Sequence, residues 1–581
     1  MPERNFHWTK KQLRGQLAVV RGEKSPTKVL TNATYLNSVQ KKWMQGHIWI
    51  AEDRIVYVGK ELPKRTNGTE IVDCSHRYIV PGYIEPHVHP FQLYNPHTLA
   101  QYASVRGTTT LICDSLVLFL RTGKRKAFTI IEQLGKMPVS MLWWGRYDAQ
   151  TELSDENDIF STENVHAWLE HPSVVQGGEL TSWPKVLGGD DEILDWMQMT
   201  TRLGKPIEGH LPGSSEKTLT QMALLGVTAD HEAMTGEEVE RRMNLGYSTV
   251  LRYSSIRPDL PNILDELQEL GIDNFEHVYM TTDGSTPAFY EQGVMDRMIE
   301  IALEKGVPDV DAYAMASYNA ARHYSMENLI GMIAPGRLAH LNILEDKNQP
   351  NPVSVLAKGQ WIRRDGEDCY PEEEFSWEDH GLKNTRFDWD LNRDDFEFSL
   401  PVGIEMVNAV ITKPYYLRLD PSGDRPSFRD DECFLMLLDR DGNWRVNTIL
   451  KGFATDVAGF ASTYSSTGDI IVLGKNKKDM FVAFQRAKEL GGGIVLTENK
   501  EVVTEIPLPL MGGFSDKPLE TLMEEERQLT KELRKRGYRF DDAIYTLLFL
   551  SATHLPYIRV TQKGIYDVKK RTVLFPAIMR S

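Results

Sequence analysis

Apolar and polar positions follow two rhythms along the chain. Between Lys28 and Gly59, the runs Lys28-Val29-Leu30-Thr31-Asn32-Ala33, His47-Ile48-Trp49-Ile50-Ala51 and Arg54-Ile55-Val56-Tyr57-Val58-Gly59, with a turn at Glu52-Asp53, predict a small β unit. After Tyr78-Ile79-Val80-Pro81-Gly82, short apolar runs alternate with charged, helix-like stretches. The runs fall near Tyr83-Ile84, Thr109–Ile112, Ser140–Trp143, Ser173–Val175, Lys205–Ile207, Gly226–Thr228, Ser248–Leu251 and His277–Met280. A repeat of about 28 residues over eight such runs matches the βα unit of an eightfold barrel, for which about 250 residues is typical.

The expected fold class is therefore α/β. A (β/α)8 barrel spans 81–324, and a small β-sandwich is built from its two flanks, 1–80 and 325–366, where Gly331–Leu344 again reads as turn and strand. An acidic, aromatic-spiked stretch over 367–395 reads as a linker or extended surface segment. A last α/β domain follows over 396–581, with Asp469–Gly474 and Gly491–Leu496 as apolar runs, a helix over Lys478–Leu490 and a charged helix over Leu519–Arg536. The charges from Glu524 to Arg536 read as a solvated helix face.

Composition narrows the function classes. At 581 residues two or three domains are expected, and the 41% hydrophobic and 25% charged fractions are those of a globular protein. Nothing approaches the roughly 18 uninterrupted apolar residues of a membrane span. The polar start, Met1–Trp8, lacks the pattern of a secretory signal. Cys74, Cys113, Cys369 and Cys433 are scattered singly, which suits a reducing compartment, so a cytoplasmic location is expected. The scatter also excludes deaminases that bind zinc through a Pro-Cys-x-x-Cys element. A formal charge of −16 counts against nucleic acid as a partner. The expected partner is a small molecule, with no membrane and no nucleic acid, and the expected assembly is a homo-oligomer.

His87-Val88-His89 ends the first barrel run. Residues two apart on a strand face the same side, so both imidazoles can address one ion. Alone, a His-x-His is more often incidental than functional. Here it is followed at barrel spacing by Glu179 after the fourth run, His210 after the fifth, His231 after the sixth and Asp283 after the eighth. Each falls at the carboxyl end of a strand, the face on which barrel enzymes assemble their sites. Four histidines and two carboxylates in that register point to a metal centre that activates water, since a divalent ion lowers the pKa of bound water from about 15.7 to about 7.

This arrangement resembles the amidohydrolase superfamily. Within it, Gly177-Gly178-Glu179, Glu208-Gly209-His210-Leu211-Pro212-Gly213 and Asp230-His231-Glu232-Ala233-Met234-Thr235 are similar to the bacterial adenine deaminases, as are Glu489–Val495 and Glu505–Leu510 near the end. The resemblance implies a divalent, binuclear centre of manganese or iron, with zinc as a further choice. It places His87 and His89 on the first ion, Glu179 as a bridge, and His210 and His231 on the second. Asp283 completes the site and shuttles the proton. It implies conversion of adenine and water to hypoxanthine and ammonia, with Asp283, Glu179 and His231 as the catalytic residues.

The chain departs from the family's pattern around the substrate. An acidic, serine-rich stretch after the first His-x-His is replaced by Pro90-Phe91-Gln92-Leu93. An Asp-Pro-His-Glu element reads Asp114-Ser115-Leu116-Val117, so the purine-handling acid is Val117, and a late His-Asp-Ser-His element reads Ser465-Ser466-Thr467-Gly468. Asp114 is either a replacement acid or a strand-end cap. Glu232 either orients a ligand or binds substrate. Trp143-Trp144 either stacks a heterocycle or packs, and Arg252 meets either substrate or an acid. A cyclic-amide hydrolase, or another aminated heterocycle as substrate, is the alternative enzyme reading. A catalytically silent binding protein on the same scaffold is the alternative from another class.

Overall fold

Strands from both flanks of the central region share one sheet in the computed structural model, which describes residues 8–371, 375–382, 387–399, 401–417, 423 and 431–580. Lys28–Asn37, Lys42–Ala51, Arg54–Gly59, Glu70–Asp73 and Tyr78–Pro81 come before the barrel, and Leu341–Leu344, Ser354–Ala357, Gln360–Arg364 and Glu367–Asp368 come after it. The two sets join where Tyr78–Pro81 runs antiparallel to Leu341–Leu344. Their inward positions, among them Leu30, Ile48, Ile50, Ile79, Leu341 and Ile343, form one apolar cluster.

Between the flanks lie eight parallel strands in sequential order: β1 (Tyr83–Val88), β2 (Thr108–Asp114), β3 (Ser140–Gly145), β4 (Val174–Leu180), β5 (Ile207–Gly209), β6 (Ala229–Asp230), β7 (Ser248–Arg252) and β8 (Val278–Thr281). Nearly every strand residue is buried, because helices cover the sheet outside and side chains fill it inside. That explains why these strands appear in the sequence as unbroken apolar runs. The sixth is displaced from its run: Gly226–Thr228 leads into the strand, and Ala229–Asp230 forms it. The ring closes through a bridge between Val88 and Asp283, so closure itself brings the first and eighth strand ends together. Buried Glu85 reinforces the seam, accepting from Thr281 Oγ1 at 2.6 Å, Thr282 N at 2.8 Å and Thr282 Oγ1 at 2.7 Å.

The C-terminal region carries a second nine-stranded sheet, mostly antiparallel, with the helix Lys477–Glu489 laid on it through Met480, Ala483, Phe484 and Ala487. The stretch expected as a linker is anchored where it is described. Trp377, Leu382, Phe387 and Leu391 are buried, the last two against this sheet, so the aromatic residues serve as core, and 372–374 and 383–386 lie outside the described residues. The charged helix α1 (Leu519–Lys535) has the expected solvated face at Glu524, Arg527, Lys531, Arg534 and Lys535, but buries Glu526 and Glu532. Helical spacing puts Leu522, Glu526, Leu529 and Leu533 on one buried stripe, and Glu526 accepts from the barrel's Ala288 N at 2.7 Å. Burial and the neighbouring Asp542 carboxylate push the Glu526 acid up to about 8.

This region caps the carboxyl end of the barrel. Asn95 Nδ2 donates to Ser515 O at 2.8 Å, Thr553 N to Gln150 O at 2.9 Å, and Thr151 Oγ1 to Ser551 O at 2.7 Å. Among the described residues no helix is long and apolar enough to cross a membrane.

Candidate metal centre

All six side chains expected at the centre meet at the carboxyl end of the barrel. His87 and His89 close β1, with ring centroids 5.4 Å apart. His87 Nδ1 lies 3.0 Å from Glu208 Oε2, and His231 Nδ1 lies 2.9 Å from Glu208 Oε1. One carboxylate thus holds both imidazoles in the tautomer that leaves Nε2 free of a proton. His87 Nε2 is then buried without a hydrogen-bond partner. A buried basic nitrogen aimed at other donors and left unpartnered is what a metal ligand looks like before its ion is added.

Glu179 stands between the two histidine pairs. Its Oε1 is 2.7 Å from His210 Nδ1 and 3.6 Å from His231 Nε2, and its Oε2 is 3.8 Å from His89 Nε2. Local backbone geometry delivers it there. Gly178 adopts φ +84°, and a Cβ at that position would run into the Glu208 carbonyl. Only glycine lets β4 carry the extra residue seen in its pairing with β5, where Ile207 faces Gly177 but Gly209 faces Leu180. Among the described residues, three triads lie close enough to hold an ion: His87, His89 and Glu179; Glu179, His210 and His231; and His87, Glu208 and His231. Glu208 is occupied with the two Nδ1 atoms, so the first two triads, which share Glu179, are the candidate ligand sets.

Asp283 places Oδ1 3.0 Å from His89 Nε2 and 3.7 Å from His87 Nε2. Its Oδ2 accepts from Arg252 Nη1 at 2.6 Å. Burial works to raise the Asp283 acid, but Arg252 and His89 outweigh it and hold the group well below the usual carboxylate range. Glu179 behaves alike: burial is overcome by Arg146, His210 and His231. The imidazoles show the complement. Burial would lower His89, yet Asp114 and Asp283 carry it up to about 10, and Glu179 and Glu208 raise His231 well above its ordinary value. The carboxylates of the cluster therefore favour positive charge at this site.

The residues with two readings resolve as follows. Asp114 caps the strand end through Leu116 N at 2.8 Å, and it also holds His89 Nδ1 at 2.8 Å and Arg146 Nε and Nη2 at 2.8 and 2.7 Å. Burial favours its acid form, but Arg146 and His89 keep it ionised, so it has no proton to give to a substrate. Glu232 Oε1 is 3.4 Å from His231 Nε2 and is tied to Arg252 at 2.7 Å, with Oε2 on Arg257 at 2.6 Å. Arg252 pairs with acids. Trp143 and Trp144 are fully buried on opposite faces of β3: Trp144 stacks on His87 at 4.4 Å and packs the centre from behind, and Trp143 belongs to a different apolar cluster.

A cavity opens over the cluster, lined by His89, Glu179, His210 and Asp283 below and by Phe91, Gln92 and Val117 at the side. The capping region adds Tyr464, Ser465, Ser466, Tyr545 and His554. Tyr464 hydrogen-bonds Gln92, and the Tyr545 hydroxyl sits over Gly284, beside Asp283. Sequence reasoning missed Glu208, Arg146, Gln150, Tyr545 and His554. Glu208 had a signal, a carboxylate inside an otherwise apolar strand two residues before His210. Tyr545 and His554 had none, because nothing local ties them to a site more than 200 residues away.

Comparison with known proteins adds family membership. The amidohydrolase family model matches residues 78–362, and that of the adenine deaminase C-terminal domain matches 409–572. A protein of Halalkalibacterium halodurans, named "Putative adenine deaminase", is 61% identical over 581 residues, covering 100% of each chain. A Bacillus subtilis protein of the same printed name is 53% identical over 580 residues, again covering 100% of each. Among solved structures, the β-aspartyl dipeptidase of Fervidobacterium islandicum is 17% identical, with a TM-score of 0.46 over 60% of this chain and 100% of that one.

Proposed function

The chain belongs to the adenine deaminase family of amidohydrolases, and on that premise we propose that it hydrolyses the exocyclic amine of adenine, or of a closely related aminated heterocycle, at a binuclear centre. The observation that carries the reading is the buried, unpartnered His87 Nε2 among two triads that share Glu179. His87, His89 and Asp283 would hold one divalent ion, His210 and His231 the other, and Glu179 both. Imidazole and carboxylate donors suit manganese, iron or zinc. Such ions, when bound, supply the acidity that makes water a nucleophile near neutral pH.

The chain's own groups do the rest. Asp283, kept ionised by Arg252, accepts the proton of the attacking water and passes it to the departing amine, which leaves as ammonia. Glu208 and Asp114 fix the orientation of the histidines. The cap walls the cavity in which a small heterocycle would sit. Val117, apolar and on the cavity wall, favours a substrate whose ring needs little protonation from the enzyme. The reading includes a cytoplasmic, homo-oligomeric enzyme of purine metabolism, and gel filtration tests the assembly. Ammonia release from adenine, other aminopurines and aminopyrimidines by manganese- or iron-loaded protein tests the reaction. Turnover of at least one aminopurine is expected, and none across the panel rejects it.

A further inference from the structure

Tyr545 brings to the cavity a hydroxyl that no other group of the chain binds. It sits in the helix Ala543–Leu548 of the cap, where Asp542 Oδ1 accepts from Tyr545 N at 2.9 Å and fixes the first turn. The residue is only 6% exposed and lines the cavity, and its hydroxyl lies against Gly284, the residue after Asp283. Buried there, the hydroxyl has no hydrogen-bond partner among the described residues. The acceptors around it are engaged elsewhere. Tyr464 donates to the Gln92 carbonyl, which leaves that side chain its amide NH2, a donor. Asp283 meets His89 Nε2 with Oδ1 at 3.0 Å and Arg252 with Oδ2 at 2.6 Å. A buried O–H without an acceptor is costly to keep unless an occupant of the cavity completes it. The same segment also supplies aromatic surface. Phe549, on the cavity wall, has its ring centroid 5.4 Å from that of Tyr545 and 6.3 Å from that of His554, which meets the His210 ring near the perpendicular at 5.3 Å. One short stretch of cap thus spans the cluster from Asp283 to His210 with flat rings and an unpaired hydroxyl.

We propose that the Tyr545 hydroxyl donates a hydrogen bond to a ring nitrogen of the bound heterocycle, which makes it a catalytic residue contributed by the cap. The inference rests on the hydrolytic reading above. A phenol keeps its proton at neutral pH and can donate, and a heteroaromatic ring nitrogen carries the lone pair that the hydroxyl lacks. When water adds to the carbon that bears the amine, electron density moves onto the ring nitrogens, so a fixed donor beside Asp283 is worth more in the transition state than in the ground state. Val117, on the same cavity wall, has no polar atom to offer. The substrate class that fits is therefore an aminated heteroaromatic ring with an acceptor nitrogen.

Tyr545→Phe removes the hydroxyl alone. In manganese-loaded protein it should lower kcat/KM for the best aminopurine about 10–100-fold, with bound metal unchanged and the melting temperature equal or higher, since no bond within the protein is lost. Adenine analogues that carry CH in place of N1, N3 or N7 locate the bond. As competitive inhibitors, two of the three should bind Tyr545→Phe at least about threefold more weakly than the parent, and the one lacking the accepting nitrogen should bind both proteins alike. Parent-like kcat/KM in Tyr545→Phe, three analogues that all respond alike, or a lowered or lost melt would overturn the inference and leave the hydrolytic reading standing. A parent that turns over no member of the aminopurine panel would overturn that reading, and the inference with it.

Discussion

The Glu208 carboxylate accepts a hydrogen bond from His231 Nδ1 at 2.9 Å, deep under the site and closed to solvent. Its other oxygen does the same for His87 at 3.0 Å, so a single residue sets the tautomer of one imidazole from each candidate ion position. Glu208→Gln can keep only one of these contacts as an acceptor. Loss of such a supporting carboxylate typically costs about 10–100-fold in metal affinity. That loss should appear in Mn2+ titrations with the cooperative melt retained, and an unchanged affinity would reduce Glu208 to a packing role.

Val117 is the clearest test of substrate chemistry. It lies on the cavity wall, at the place where the sequence resemblance implies an acid. One general acid is worth on the order of 10²–10⁴ in rate. Val117→Glu, with metal content matched to the parent, should therefore speed ammonia release from adenine. Equal rates would mean that the parent needs no acid at this position.

Gly284 should tolerate no side chain. A Cβ there would collide with the Tyr545 hydroxyl and crowd the Gln92 amide, both on the cavity wall next to Asp283. Gly284→Ala should displace the cap and raise KM or lower kcat at least tenfold, with bound metal unchanged by elemental analysis. Unaltered kinetics would show that Tyr545 moves aside freely.

Glu526 gives the cap a pH signature. Its folded acid is raised to about 8, against an ordinary 4.5, so the folded state holds a proton that the unfolded chain releases between those values. Its contribution to stability is present at low pH and is lost as pH rises from about 4.5 to about 8. Melting temperature should fall across that window, and Glu526→Gln should flatten the fall. A variant that keeps the full slope would assign the effect elsewhere, for instance to Asp542.

How much of this was legible in the sequence depends on distance along the chain. His87, His89, Glu179, His210, His231 and Asp283 could be found because each ends a strand of a repeating unit, and the repeat converts sequence spacing into a common face. Asp114 was visible but ambiguous, since a strand-end carboxylate looks the same whether it caps a backbone or holds His89. Arg146 was hidden because its partners, Asp114 and Glu179, lie on neighbouring strands whose register only the closed barrel sets. The solvated face of α1 is legible in its charges, but the buried Glu526 looks like its exposed neighbours until the surface the helix docks on is known. The cap's Tyr545 and His554 depend on how separate parts of the chain pack together, which no local pattern records.

If His87, His89, Glu179, His210, His231 and Asp283 form one metal centre, Glu179 lies against both ions. A crystal of protein prepared with Mn2+, measured at the manganese absorption edge, shows whether it does. Anomalous peaks should lie within coordination distance of Glu179, one on the side of His87 and His89 and one on the side of His210 and His231. A fully loaded crystal with no peak at Glu179, or with manganese bound only elsewhere on the molecule, would contradict it.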